Sequence, residues 1–115
     1  MRHISRTMAV LIVLLLSFTT YAGDSISGVG LIIMSKNQKI VIHKIIPNSP
    51  ADKAGITPGL AIIKVDDKST EGMQLDDCIH LIRGPVGSKV KLELLDSGTN
   101  ESISFEITRD TIKVN

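Results

Sequence analysis

The chain has no tryptophan, one tyrosine and two phenylalanines, so aromatic residues make up 3% of its 115 positions. A core must therefore be built from isoleucine, leucine and valine. It has one cysteine, Cys78, so no internal disulfide can staple it. A lone thiol either pairs with another chain or packs as a small hydrophobe. It has no excess of one charge: 13 basic and 12 acidic residues leave +1, which argues against the strongly basic surface that nucleic acid requires. It lacks the run of about 20 apolar residues that spans a bilayer. Internal repeats and low-complexity segments are absent as well.

The first 22 residues have the three parts of a secretory signal. Arg2 and Arg6 give a positive start, residues 8–16 are an unbroken apolar run, and Thr20-Tyr21-Ala22 offers small residues where a signal peptidase reads. The alternative is an uncleaved membrane anchor. Cleavage after Ala22 leaves 93 of the 115 residues, one small domain. Losing Arg2 and Arg6 takes 13 basic residues to 11 against 12 acidic ones, a mature net charge of −1. The expected localisation is exported, periplasmic or secreted.

The organising stretch is Ser27-Gly28-Val29-Gly30-Leu31-Ile32-Ile33. Glycine reaches φ > 0 freely, so Gly28 and Gly30 permit a sharp turn into an apolar strand. Two readings fit. One is a strand entered through a flexible turn; the other is a nest of outward N–H groups that attracts an anion beside a strand edge.

Residues 23–27 read as a flexible lead. Strands are predicted over 29–34, 39–46 and 60–65, with a tight turn at Asp66-Asp67 and a short strand at 68–69. Ser49 is placed to cap a short helix over 51–54, with Pro50 at its first position and Gly55 ending it. A second helix over 75–83 puts Leu75, Cys78, Ile79 and Ile82 on one face, with Asp76 and Asp77 in its first turn and Arg83 in its last. Two alternating strands follow. Val90, Leu92 and Leu94 point inward on the first, and Ile103, Phe105 and Ile107 on the second. Residues 110–115 read as a loose tail.

Chemistry-bearing constellations are scarce. Ser49 and Lys53 lie at helical spacing, but a cap and a solvated lysine account for them. His43 and His80 lack metal-ligand spacing and a partner acid. Asp66-Asp67 and Asp76-Asp77 read as turn and helix-start acids. No catalytic, metal or cofactor residue is assigned.

Taken together the landmarks resemble a PDZ domain, most closely the PDZ module of bacterial C-terminal processing proteases. Ser27-Gly28-Val29-Gly30-Leu31 is similar to the carboxylate loop, and the run from Ser49 to Ile56 with Pro58-Gly59 to the first helix and turn. Ser69-Thr70-Glu71-Gly72-Met73 leading to Leu81-Ile82-Arg83-Gly84 is similar to the groove helix, and Gly87-Ser88-Lys89-Val90 to the next strand start. The resemblance implies an α+β fold: a small, partly open β-barrel or sandwich of about five to six strands with two helices, in the permuted bacterial strand order, over residues 28–109. Three positions depart from the pattern. Leu60 stands where an acid is usual, Asp66-Asp67 where a glycine-containing pair is usual, and Gln74 where a Ser or Thr caps the groove helix.

The resemblance also implies a groove between strand and helix, lined by Val29, Leu31, Ile33, Leu75, Ile79 and Ile82. Gly28 and Gly30 shape the loop, and the amides of Val29, Gly30 and Leu31 hold a terminal carboxylate. Leu75 is expected to face the ligand side chain two positions before the terminus and to prefer an apolar residue there. The basic residue common before such a loop is missing from Asp24-Ser25-Ile26-Ser27. Processing proteases add a serine nucleophile and a lysine base on a separate domain that this sequence does not contain. The expectation is an exported, non-enzymatic module that binds protein C-termini or extended peptides by strand addition, with no small-molecule or nucleic-acid ligand. The alternatives are an accessory subunit or fragment of a periplasmic processing protease, and a structural homo-oligomer joined through strand edges.

Overall fold

The structure, a computed structural model, describes residues 25–113. The signal sequence expected over 1–22, the first two residues of the lead and the last two of the tail lie outside the described residues.

Ten elements follow one another: β1 (Ser25–Gly28), β2 (Leu31–Lys36), β3 (Lys39–Ile45), α1 (Pro50–Lys53), β4 (Ala61–Val65), β5 (Lys68–Ser69), α2 (Leu75–Ile82), β6 (Lys89–Asp96), β7 (Glu101–Thr108) and β8 (Asp110–Lys113). An antiparallel sheet runs β2-β3-β4-β6-β7, with β5 beside β4, and β1 and β8 form a separate antiparallel pair. Six strands in one open sheet with two helices is the expected α+β architecture.

The aliphatic inventory fills the interior. Ile42, Ile62, Val65, Val90, Leu92 and Leu94 are at most 1% exposed. β6 alternates as its pattern predicts, with Lys89 and Lys91 outward between buried Val90 and Leu92. Cys78 projects from α2 into this core, where burial pushes its thiol pKa up to about 11.

α1 forms as its cap residues dictate. The Ser49 Oγ accepts from the Asp52 N–H at 3.3 Å, Pro50 opens the helix, and Gly55 closes it at φ +84°. α2 lacks a side-chain cap, because Gln74 makes no such bond. Asp66 and Asp67 both take positive φ (49° and 67°), the geometry of a tight hairpin turn. Lys91 ties that turn down: its N–H donates to Asp66 Oδ1 at 2.8 Å and its ammonium to Asp67 Oδ1 at 3.1 Å.

Three expectations are corrected. The lead and the tail are not loose where they are described: Ser25 to Gly28 pair with Lys113 to Asp110 as β1 and β8. Each segment is short and unremarkable alone, and becomes a strand because the other lies beside it. β2 begins at Leu31, not at 29, because Gly30 at φ +92° turns the chain and sends Val29 into the core at 2% exposure. Ile103 is 50% exposed, although Ile107 on the same strand is buried. β7 is the last strand of the sheet, and Ile103 lies towards its turn with β6, beyond the covered part of that strand.

Candidate functional site

β2 is the opposite terminal strand of the sheet, so one of its edges has no strand partner. α2 packs beside that strand. A cavity of about 330 Å³ opens between them.

The turn at Gly30 orients the backbone. The Val29 carbonyl accepts from the Ala51 N–H at 2.8 Å, and the Gly30 carbonyl from the Ile46 N–H at 2.9 Å. A trans peptide unit points its N–H opposite to its C=O. The Gly30 and Leu31 amides are therefore turned away from α1 and β3, on the side of the unpartnered edge. Leu31 pairs with Ile45 next to the Gly30–Ile46 hydrogen bond. In an antiparallel ladder that phase leaves the Leu31 N–H and C=O facing outward.

Seven of the eight residues singled out in the sequence line this one cavity: Gly28, Val29, Gly30, Leu31, Ile33, Ile79 and Ile82. Val29 contributes from the core side, while Leu31, Ile33 and Ile79 are half-buried. Leu75 is not brought to the lining; it is half-buried against the core. It precedes Ile79 by four residues, about 6 Å along the helix axis, and the cavity lies at the other end of α2.

Four lining residues escaped the sequence reading: Ile32, Ile46, Arg83 and Ile112. Strict alternation cannot put both Ile32 and Ile33 on one cavity, but the register with β3 slips between them, and a bulge of that kind re-aims a side chain. Ile46 follows the end of β3 and is placed by its bond to Gly30. Ile112 arrives through the β1–β8 pairing, for which no local pattern gave a signal. Arg83 directly follows Ile82. Its chain crosses Gly28, so that a Cβ on the glycine would lie 4.0 Å from the arginine Cγ.

Arg83 is exposed and enters no ion pair among the described residues. No acidic side chain lines the cavity. An aliphatic trough beside an open strand edge, with backbone amides and one guanidinium at its glycine end, suits an extended chain that ends in a carboxylate.

Other polar groups have structural roles. Ser49 is 4% exposed, with its hydroxyl on the α1 N-terminus. His43 is exposed, and His80 Nδ1 lies 2.7 Å from the Asp76 carbonyl. Among the described residues no cluster of three or more His, Cys, Asp or Glu could hold a metal ion, and no helix is long and apolar enough to cross a membrane.

A PDZ domain model matches residues 16–95 of the sequence. The chain is 45% identical over 98 residues to the carboxy-terminal processing protease CtpA of Bacillus subtilis, a match that covers 85% of this chain and 21% of that protein. It spans about a fifth of the length of the curated relatives it matches. The PDZ domain of the carboxy-terminal protease from Vibrio cholerae, solved in complex with a peptide, superposes with a TM-score of 0.74 at 32% identity, covering 78% of this chain and 99% of that one. The photosystem II D1 C-terminal processing protease superposes at 0.71 with 31% identity, over 82% of this chain and 25% of that chain.

Proposed function

The chain belongs to the PDZ domain family, and from that premise we propose that it is an exported, non-enzymatic module that binds protein C-termini or extended apolar segments by strand addition to β2. One observation carries the reading: the outward-turned amides at Gly30 and Leu31, the open edge of β2 and the aliphatic cavity under α2 meet at one place. A bound peptide extends the sheet with main-chain hydrogen bonds, and its last side chain enters the cavity. Burying one aliphatic side chain there contributes roughly 1.5–3 kcal/mol. A contact of this size favours weak, transient binding. Arg83 takes the place of the basic residue missing from 24–27 and faces the terminal carboxylate from the helix side.

The test is fluorescence anisotropy with the labelled heptapeptide Gly-Ser-Gly-Ser-Ala-Val-Val, as free acid and as C-terminal amide. The free acid binds more tightly. Equal affinities for the two forms, or no binding of either, would sink the proposal. Export is tested separately by N-terminal sequencing of protein recovered outside the cytoplasm, where a mature start at Gly23 is expected. An intact Met1 in the membrane fraction means an anchor.

The likeness to the protease relatives favours a second reading, an accessory module that docks to a separate C-terminal processing protease and presents or blocks its substrates. A protease recovered with the protein after crosslinking in the exported fraction supports it. The purified chain alone should not cleave the heptapeptide under either reading.

A further inference from the structure

Arg109 lies at the junction of β7 and β8 and is 8% exposed. A buried guanidinium needs its donors satisfied. Here all three nitrogens are engaged, and none by a carboxylate among the described residues. Nε donates to the Ile82 carbonyl at 2.8 Å and Nη2 to the Leu81 carbonyl at 3.1 Å. Nη1 donates to Ser88 Oγ at 2.8 Å and to the Lys89 carbonyl at 3.2 Å. The cation thus sits at the C-terminus of α2, where the helix dipole is negative and carbonyls lack helical partners. The chain makes room for it: a Cβ on Gly84 would stand 2.7 Å from the Arg109 Cζ.

The main chain at the same residue belongs to the other side of the groove. The Arg109 N–H donates to the Ser88 carbonyl at 2.8 Å. The next residue, Asp110, pairs with Gly28, and Ile112 on the same strand lines the cavity. One residue therefore holds Ile82 on the helix wall through its side chain, and starts the strand that holds Gly28 on the loop wall. A shift of either wall changes the gap into which a terminal carboxylate and last side chain would fit.

We infer that Arg109 is the positioning residue of the groove: it sets the spacing between the C-terminal end of α2 and the Gly28–Leu31 loop, and through that spacing the affinity for a ligand's terminal residue. Arg109 touches no ligand itself. It acts through Ile82, Arg83 and Gly28, and the inference rests on the peptide-binding reading above.

The experiment uses the full chain and the same heptapeptide as acid and as amide, at a temperature where circular dichroism shows each variant folded. Arg109→Lys keeps the charge but loses the fork that spans two helix carbonyls and β6. It should bind the free acid at least tenfold more weakly and the amide within about twofold of wild type. Gly84→Ala keeps every Arg109 donor and displaces the guanidinium, so it should reproduce the loss; it also carries the test if Arg109→Lys does not fold. A merely structural role predicts lower melting temperatures with unchanged affinities in the folded state, and that result overturns the inference while leaving the peptide groove intact. Wild-type protein that binds neither peptide form overturns the groove reading instead. A readout free of peptide is the amide NMR spectrum. Gly84→Ala should move the Gly28 and Leu31 resonances, and resonances that stay in place count against the inference.

Discussion

Gly30 packs so closely on Ser49 that a Cβ added to the glycine would lie 2.1 Å from the serine Cβ. The carboxylate loop and the N-cap of α1 are thus one packed unit, joined also by the Ala51 N–H bond to the Val29 carbonyl at 2.8 Å. Gly30→Ala meets both the clash and the cost of a side chain at φ +92°. It should destabilise the fold by about 2–5 kcal/mol, read from urea denaturation. Ser49→Gly removes the clashing carbon at the small cost, a few tenths of a kcal/mol, of a glycine N-cap. Gly30→Ala with Ser49→Gly should therefore be more stable than Gly30→Ala alone. Simple additivity of the two changes would show that the contact is not the constraint.

Arg83 offers the cavity rim a cation with no ion-pair partner among the described residues. Arg83→Gln should weaken binding of the free-acid heptapeptide by about three- to tenfold and leave the amide unaffected, since an exposed charge pair contributes on the order of 1 kcal/mol. The wild-type preference for the acid should shrink between 50 and 500 mM salt, and the variant should show little salt dependence. A variant that discriminates acid from amide as well as wild type does would assign the carboxylate to the backbone amides alone.

What the sequence reveals about this molecule is what is written in local periodicity. Val90, Leu92 and Leu94 alternate and are buried; Ser49-Pro50 announces α1 and forms it. The glycine loop and the last turn of α2 were legible because Gly28, Gly30, Ile79 and Ile82 sit in recognisable spacings. Non-local pairing was not legible. Ser25 to Gly28 and Asp110 to Lys113 lie more than 80 positions apart, and neither declares itself without the other. The bulge at Ile32/Ile33 breaks the period-two rule on which face assignment depends. The same limit hid Arg109, whose four side-chain hydrogen bonds all reach residues at least 20 positions away.

Cys78 gives a pH signature. Its thiol is fully buried, and desolvation raises its pKa from 9.0 to about 11. Below pH 9 the thiol is neutral in both folded and unfolded chains, and stability does not depend on it. Between pH 9 and 11 the unfolded chain ionises first, so stability falls as pH rises, by at most about 1.4 kcal/mol per unit. Wild type should lose stability over this window faster than Cys78→Ala, in urea titrations at matched pH. Native wild type should also react with a thiol reagent at pH 8 only as fast as it opens. Parallel stability curves for the two proteins would mean the thiol is solvated.

The two apolar residues on the groove side of α2 should behave differently. Ile79 lines the cavity, and Leu75, one turn earlier, does not. Ile79→Ala removes wall area from the pocket for the last side chain and should weaken the free-acid heptapeptide by about tenfold or more, with large terminal residues now tolerated better than small ones. Leu75→Ala removes packing against the core and should cost about 1–3 kcal/mol of stability, at the low end of buried leucine truncations because the residue is half-buried. Its effect on affinity for the terminal residue should stay within twofold. Leu75→His separates the remaining possibility. If an array of peptides varied two positions before the terminus shows the same ranking with wild type and Leu75→His, selection there does not pass through Leu75. A new preference for Ser or Thr in the variant would mean that a bound peptide runs further along α2 than the cavity itself does, and would place Leu75 in contact with it.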